Sequence, residues 1–275
     1  MKKLIMIAQS IKLLNYLNKQ IMIRLTLKVF SLIILLAAGP CLKAQSLSAT
    51  DIIREADEKF RGEMSGYSEM TMTIVRPTWQ RTVEFKSWAK EDDYALTLIT
   101  APAREKGQTF LKRKNEMWSW NPTISRLIKL PPSMMSQGWM GSDYTNDDIL
   151  RESSVVDDYT HSIEGEEEID DRICWKIKLT AREDADVLWG SQIWWVDRKD
   201  YIVVKAELYD EDDYLVRTER GMEIKTMDGR LLPTVIELVP ADKEGHKTIL
   251  NIVEMKFNID IDDSFFSQQN MKTIR

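Results

Sequence analysis

The residues of this chain that could carry catalysis are two histidines, one cysteine beyond residue 44, and a serine beside an aspartate. His161 follows "DDYT" and His246 follows "KEG", strand-edge or turn positions with no second ligand at metal spacing. Cys174 lies within "RICWKIKLT", and its apolar neighbours point to core packing. Ser142 precedes Asp143 in "GWMGSDY", without the strand–GxSxG–helix context that exposes a nucleophile. The eleven glycines form neither GxGxxG nor GxxxxGK(S/T), so no phosphate loop is expected. "DEDD" at 210–213 lacks the glycine and terminal glutamate of a calcium loop, and reads as a charged hairpin tip. These residue types predict no metal, no cofactor and no enzyme.

Soft and aromatic side chains are abundant instead. Residues 45–275 hold all nine Trp and eleven of the fourteen Met. Met adapts to apolar partners of different shape and recurs on promiscuous binding surfaces. Met70 and Met72 share one strand face, as do Trp118 and Trp120. Either these residues pack an ordinary core or they line an apolar cavity. The stretch "LPPSMMSQGWMGSDYTNDDI" (130–149) is harder to assign to a core. It sets Met134, Met135, Trp139 and Met140 in a segment with no strand period and too many breaks for a long helix, whereas loops normally carry polar groups.

The elements that must position these residues are mostly strands. Residues 1–44 carry seven basic groups and no acid, with an apolar run at 29–39, and read as an export signal cleaved after Ala44. Met22 is a candidate true start. Pro40 before Cys41 fits lipid attachment poorly, so a soluble periplasmic product is expected. Of 38 basic and 44 acidic groups, 31 and 44 remain in residues 45–275, a net charge of −13 that argues against nucleic acid and anionic membrane as main partners. These 231 residues suit one domain. "SATDIIREADEKFRG" (48–62) predicts a helix capped by Ser48 or Thr50 and stopped at Gly62, with Ile52, Ile53, Ala56 and Phe60 on its apolar face. From Tyr67 onward the period is two, with short polar connections, giving eleven or twelve neighbour-to-neighbour strands. "EGEEEIDD" (164–171) reads as a solvated turn. Such a meander closes as a barrel, or curls into a half-barrel whose concave side the helix plugs.

The run "SRLIKLPPSMMSQGWMGSDYTNDDI" resembles the outer membrane lipoprotein-sorting family, relatives of the LolA/LolB-type periplasmic carriers. The order around it is similar as well, from "ADEKFRG" and "MTMTIVRP" through "WWVDRKDYIVVKAELYD" to the terminal "FF". The likeness spans residues 48–267 and is most specific at Gly141, Ser142, Asp143, Tyr144, Thr145 and Asp148. It implies a mainly β fold: an incurved antiparallel sheet of about eleven strands, a half-barrel with an apolar concave cavity covered by an N-terminal helix and a loop or short helix. It further implies a monomeric carrier of lipoprotein or lipid acyl chains, served by an inner-membrane exporter or permease, with no catalytic pattern to transfer. The helical content is small, so a lid sparser than that of LolA is expected.

On this reading the 130–149 loop is a movable flap. Met134, Met135, Trp139 and Met140 touch the ligand together with Met70, Met72, Trp118 and Trp120, and Gly138 and Gly141 permit motion. Asp143, Asp147 and Asp148 anchor the flap's far end by capping a helical turn near 145–151. Two other classes compete: an envelope scaffold or sensor binding a protein through a sheet edge or acidic face, and a lipid esterase using Ser142 and a histidine.

Overall fold

The computed structural model describes residue 22 and residues 47–61, 64–91, 93–114, 116–150 and 154–275. Apart from Met22, the expected signal segment lies outside the described residues, as does Gly62. Helix α1 (Ala49–Arg61) starts in a capping box: Asp51 N donates to Ser48 Oγ at 3.1 Å, and Ser48 N donates to Asp51 Oδ2 at 3.3 Å. Ser48 is therefore the cap, and Thr50 instead bonds His161 Nδ1 at 3.1 Å.

Six strands follow: β1 (Ser65–Arg76), β2 (Trp79–Lys90), β3 (Tyr94–Ala101), β4 (Thr109–Arg113), β5 (Glu116–Asn121) and β6 (Arg126–Lys129). Beyond the short helix α2 (Asn146–Leu150) come β7 (Tyr159–Ile169), β8 (Arg172–Ala181), β9 (Ser191–Asp197) and β10 (Val203–Tyr209). Then come β11 (Leu215–Met227), β12 (Arg230–Pro240), β13 (Lys247–Phe257) and helix α3 (Gln268–Thr273), with short 3-10 turns at Pro132–Met134, Trp139–Gly141 and Asp263–Phe265. All strands join one antiparallel sheet in the order β6-β5-β4-β3-β2-β1-β13-β12-β11-β10-β9-β8-β7. It is an incurved half-barrel, not closed.

The described residues thus form thirteen strands rather than about eleven. The unforeseen β6 has only four residues, too few to show an alternation. A second correction concerns 164–171. Glu164 to Ile169 continue β7 as strand, and the turn is confined to Asp170 and Asp171, both at positive φ. An edge strand needs no apolar face, and charges along it deter pairing with a stray chain.

The strand order imposes a crossing. β6 and β7 are opposite edges, twelve inter-strand steps apart, or about 58 Å along the sheet at about 4.8 Å per step. The chain between them must therefore traverse the sheet, and its described residues 130–150 and 154–158 lie over the inner face. That face carries Met72 opposite Val83 and opposite Leu250, and Met70 opposite Phe85. Met135, Trp139 and Tyr144 of the crossing segment pack among Met72, Ile74, Val83, Phe85, Ile99, Phe110 and Met117. Trp139 is 1% exposed and stands edge-on to Phe85 (5.1 Å) and Phe110 (5.5 Å). Met134 and Met140 are partly buried against the same cluster.

The outer face explains a third correction. Trp118 alternates with Met117, so it points away from the inner face, and Trp120 shares its side. Both pack with Leu96 and Leu111 under Phe266 and Met271 of the C-terminal segment, where Thr109 Oγ1 donates to Met271 O at 2.7 Å.

A deletion in a packed site costs the lost transfer energy plus a cavity term. Trp139→Ala is therefore expected to lower unfolding free energy by about 3–5 kcal/mol, read by urea titration. A loss near zero would return Trp139 to a movable flap.

Candidate functional site

Helix α1 lies across the inner face of the sheet's second half. Its Ile52, Ile53 and Ala56 are buried against Tyr159, Ile177, Leu179 and Val196. One turn later Phe60 packs with Leu232, Ile252 and Met255, with Met70 alongside. Between this helix, the crossing segment and the sheet remain two adjoining hollows. The first, about 280 Å³, is walled mainly by Ala56, Trp189, Trp194, Val203, Leu208 and Leu232. The second, about 220 Å³, lies over Met70, Phe85, Ala95, Leu250 and Met255. They share Phe60, Arg61, Tyr144, Asp148, Glu219 and Ile236.

The crossing segment is fastened to the sheet by buried charge. Asp143 Oδ2 accepts from Arg76 Nη1 at 2.9 Å and from Thr248 Oγ1 at 2.7 Å, while Asp143 N donates back to Thr248 Oγ1 at 3.1 Å. Arg76 Nη2 donates to Gly141 O at 3.0 Å, and Arg81 to Met140 O. At the other end Thr145 caps α2: its Oγ1 accepts from Asp148 N at 3.1 Å, while Asp148 Oδ2 accepts from Thr145 N at 2.7 Å and from Thr145 Oγ1 at 2.8 Å. The same carboxylate takes a two-pronged bond from Arg217, at 2.6 and 2.8 Å, and Arg217 Nη2 also reaches Glu219 Oε1 at 2.8 Å. The guanidinium lies 4.7 Å from the Trp189 ring centre and 5.7 Å from that of Tyr144.

The acids thus hold the segment through arginines on the sheet as well as through a helix cap. The glycines build a tight turn rather than a hinge. A Cβ at Gly138 would sit 2.7 Å from Ser142 O, and Gly141 has φ +76°. Ser142 Oγ donates to Trp139 O at 2.7 Å and accepts from Tyr144 N at 3.2 Å, so the hydroxyl is used within its own turn. His161 bonds Thr50 and, through Nε2 at 2.8 Å, Val155 O, and burial holds its pKa below the usual value. Cys174 is free and buried, its thiol pushed up to about 11 by burial. Among the described residues no group of three or more His, Cys, Asp or Glu is placed to hold a metal.

Of the residues expected to meet a ligand, Met70 lines the second hollow; Ala56 and Phe60, expected on the lid helix, and Asp147 and Asp148, expected as anchors, line the first. Met72, Met135 and Trp139 are in the closed core, and Trp118 and Trp120 are behind the sheet. Sequence reasoning missed Arg217, Glu219, Arg76 and Trp189. The available signal was slight: Arg217 and Glu219 are charged residues at inner-facing positions of β11, opposite Pro240 and Leu238.

The two carboxylates on Arg217 titrate in opposite directions. Burial opposes ionisation of Asp148, but the Arg217 charge and the hydrogen bonds outweigh it and hold its pKa low. For Glu219 burial prevails over Arg217, with Asp148 adding repulsion, and its pKa is raised. A lowered folded pKa gives stability above the unfolded value, about 3.9, that is lost as pH falls through the folded value. A raised one makes stability fall as pH climbs from about 4.3 toward the folded value. Asp148→Asn is thus expected to flatten the acid limb of a stability–pH profile. Glu219→Gln should gain stability relative to the parent between pH 4 and 7. Arg217→Met, which strands two buried carboxylates, should cost about 3–5 kcal/mol at pH 7. Parallel profiles for all three would show that the cluster is solvent-screened.

An open, incurved sheet with a helix and a strapped crossing segment over an apolar hollow defines the class of fold seen in LolA-superfamily proteins. A family model described as "-like: Uncharacterized protein" matches residues 91–273, two thirds of the chain, and the chain belongs to that family. No curated protein matches the sequence. Among solved structures, a LolA superfamily protein from Nitrosomonas europaea has 26% identity and a TM-score of 0.71, over 82% of this chain and 99% of its own. A putative outer membrane lipoprotein-sorting protein domain from Vibrio parahaemolyticus has 19% identity and a TM-score of 0.72, over 82% and 98%. A DUF1329 family protein from Desulfovibrio piger has 24% identity and a TM-score of 0.73, over 81% and 97%. The resemblance to lipoprotein-sorting proteins read from the sequence is borne out. No helix among the described residues is long and apolar enough to cross a membrane.

Proposed function

We propose that this protein is a non-catalytic periplasmic carrier that binds acyl chains of lipoproteins or lipids in the cleft beneath α1. The observation that carries the reading is the mainly apolar double hollow between helix, crossing segment and inner face, in a fold shared with a lipoprotein-sorting domain. Each methylene moved from water into such a wall contributes about 0.8 kcal/mol, so transport needs affinity and no reaction. Trp189, Trp194 and Leu208 replace the methionines of the crossing segment as the principal ligand contacts, with Phe60 as the lid residue reaching over both hollows. The protein works as a monomer, and an inner-membrane exporter or permease loads it, supplying the direction that a passive cleft lacks.

Native mass spectrometry of protein purified gently from a bacterial periplasm tests this. The expected result is a mass excess that organic extraction identifies as fatty acyl, phospholipid or lipopeptide. A bare mass, with no uptake of added lipid, would sink the carrier reading. Phe60→Asp is further expected to weaken acyl-probe binding at least tenfold while the thermal midpoint moves by only a few degrees.

A further inference from the structure

The cleft has a polar node between two largely apolar lobes. The first lobe lies against β9–β12 and the second against β1–β3 and β13, and the wall they share brings Arg61, Tyr144, Asp148 and Glu219 together with Phe60 and Ile236. Among the described ion pairs at this wall the charges do not balance. Arg61 is paired with Asp57 at 2.7 Å, whereas the Arg217 guanidinium serves two carboxylates, Asp148 by a two-pronged bond and Glu219 through one oxygen at 2.8 Å. These groups carry one negative charge in excess at an enclosed position, where unbalanced charge is costly. Asp148 is already taken up by Arg217 and the cap of α2, so Glu219, 23% exposed and lining both lobes, is the member of the pair that faces the space between them. Its raised pKa is the same imbalance seen from the proton. The other cations of the first lobe are engaged elsewhere, Lys59 by Asp200 O and Lys205 by Glu207 at 2.7 Å.

Resting on the acyl-carrier reading, we infer that the cleft takes one amphiphile with two apolar arms, one in each lobe. The arms meet at a small junction that carries no negative charge and donates a hydrogen bond to Glu219. A hydroxyl or an ammonium meets that requirement. A phosphate or carboxylate at the junction brings a second anion against Glu219 and Asp148. A single-chain ligand fills one lobe and leaves the other to water.

The test compares three probes by calorimetry at pH 7.5, with stoichiometry from native mass spectrometry: dioctanoylglycerol, monooctanoylglycerol and dioctanoylphosphatidate. Dioctanoylglycerol is expected to bind one to one, at least tenfold tighter than monooctanoylglycerol and at least tenfold tighter than dioctanoylphosphatidate. Glu219→Gln should narrow the second gap at least threefold and leave the first unchanged. Two monooctanoylglycerols bound with affinity equal to that of the two-armed probe would overturn the inference and leave the carrier reading standing. Equal or tighter binding of the phosphatidate would overturn the junction chemistry. Failure of all three probes to bind would remove the inference together with the carrier reading beneath it.

Discussion

The strand order governs this molecule. With β6 and β7 at opposite edges of one open sheet, the chain between them has to cross a face that is otherwise apolar. A polar loop laid there would bury backbone groups without partners. The segment solves this with compact turns that satisfy their own amides, and with side chains that fill the inner face as strand residues would. Trp139 N donates to Tyr144 O, Gly138 bridges Thr145, and Asn146 Nδ2 bonds Met134 O and Gln137 O.

The same crossing separates packed core from cleft. Where the segment presses on β1–β5, Trp139 and Met135 fill the inner face around Met72, Val83 and Phe110, and stability is concentrated there. Beyond Tyr144 the chain turns into α2, and the first hollow lies between this part of the segment, α1 and the sheet. The boundary runs through the Arg217 cluster. Buried ion pairs are weak contributors to net stability, because desolvation offsets their attraction. They are, however, intolerant of displacement, since either partner alone would be stranded. Arg76 with Asp143 and Arg217 with Asp148 therefore set where the segment sits, and the shape of the cleft follows from that position.

Much of this was legible in the residues. The period of two from Tyr67 onward, the short polar turns and the single amphipathic helix at 48–62 define a mainly β meander with a helix to be covered, and the structure has both. Cys174 as core and "DEDD" as a hairpin tip also hold, with Asp210 Oδ1 accepting from Asp212 N and Tyr214 N. β6 escaped notice because four residues carry no periodicity, and the acidic half of β7 because composition describes exposure, not backbone conformation.

The sequence by itself determined the elements, because hydrophobic period and capping residues act between near neighbours: Ser48 on Asp51 and Thr145 on Asp148 are each three residues apart. It also determined that the 130–149 stretch must meet apolar surroundings. Which surroundings was a tertiary decision. Met117 and Trp118 are adjacent in the chain, yet one joins the inner core and the other the outer cluster, and only the register of β4 and β5 says which. Arg217 and Glu219 look like ordinary strand charges until a segment some seventy residues earlier is laid over them. A contact of that range depends on the curl of the whole sheet, and no local property of either segment encodes it.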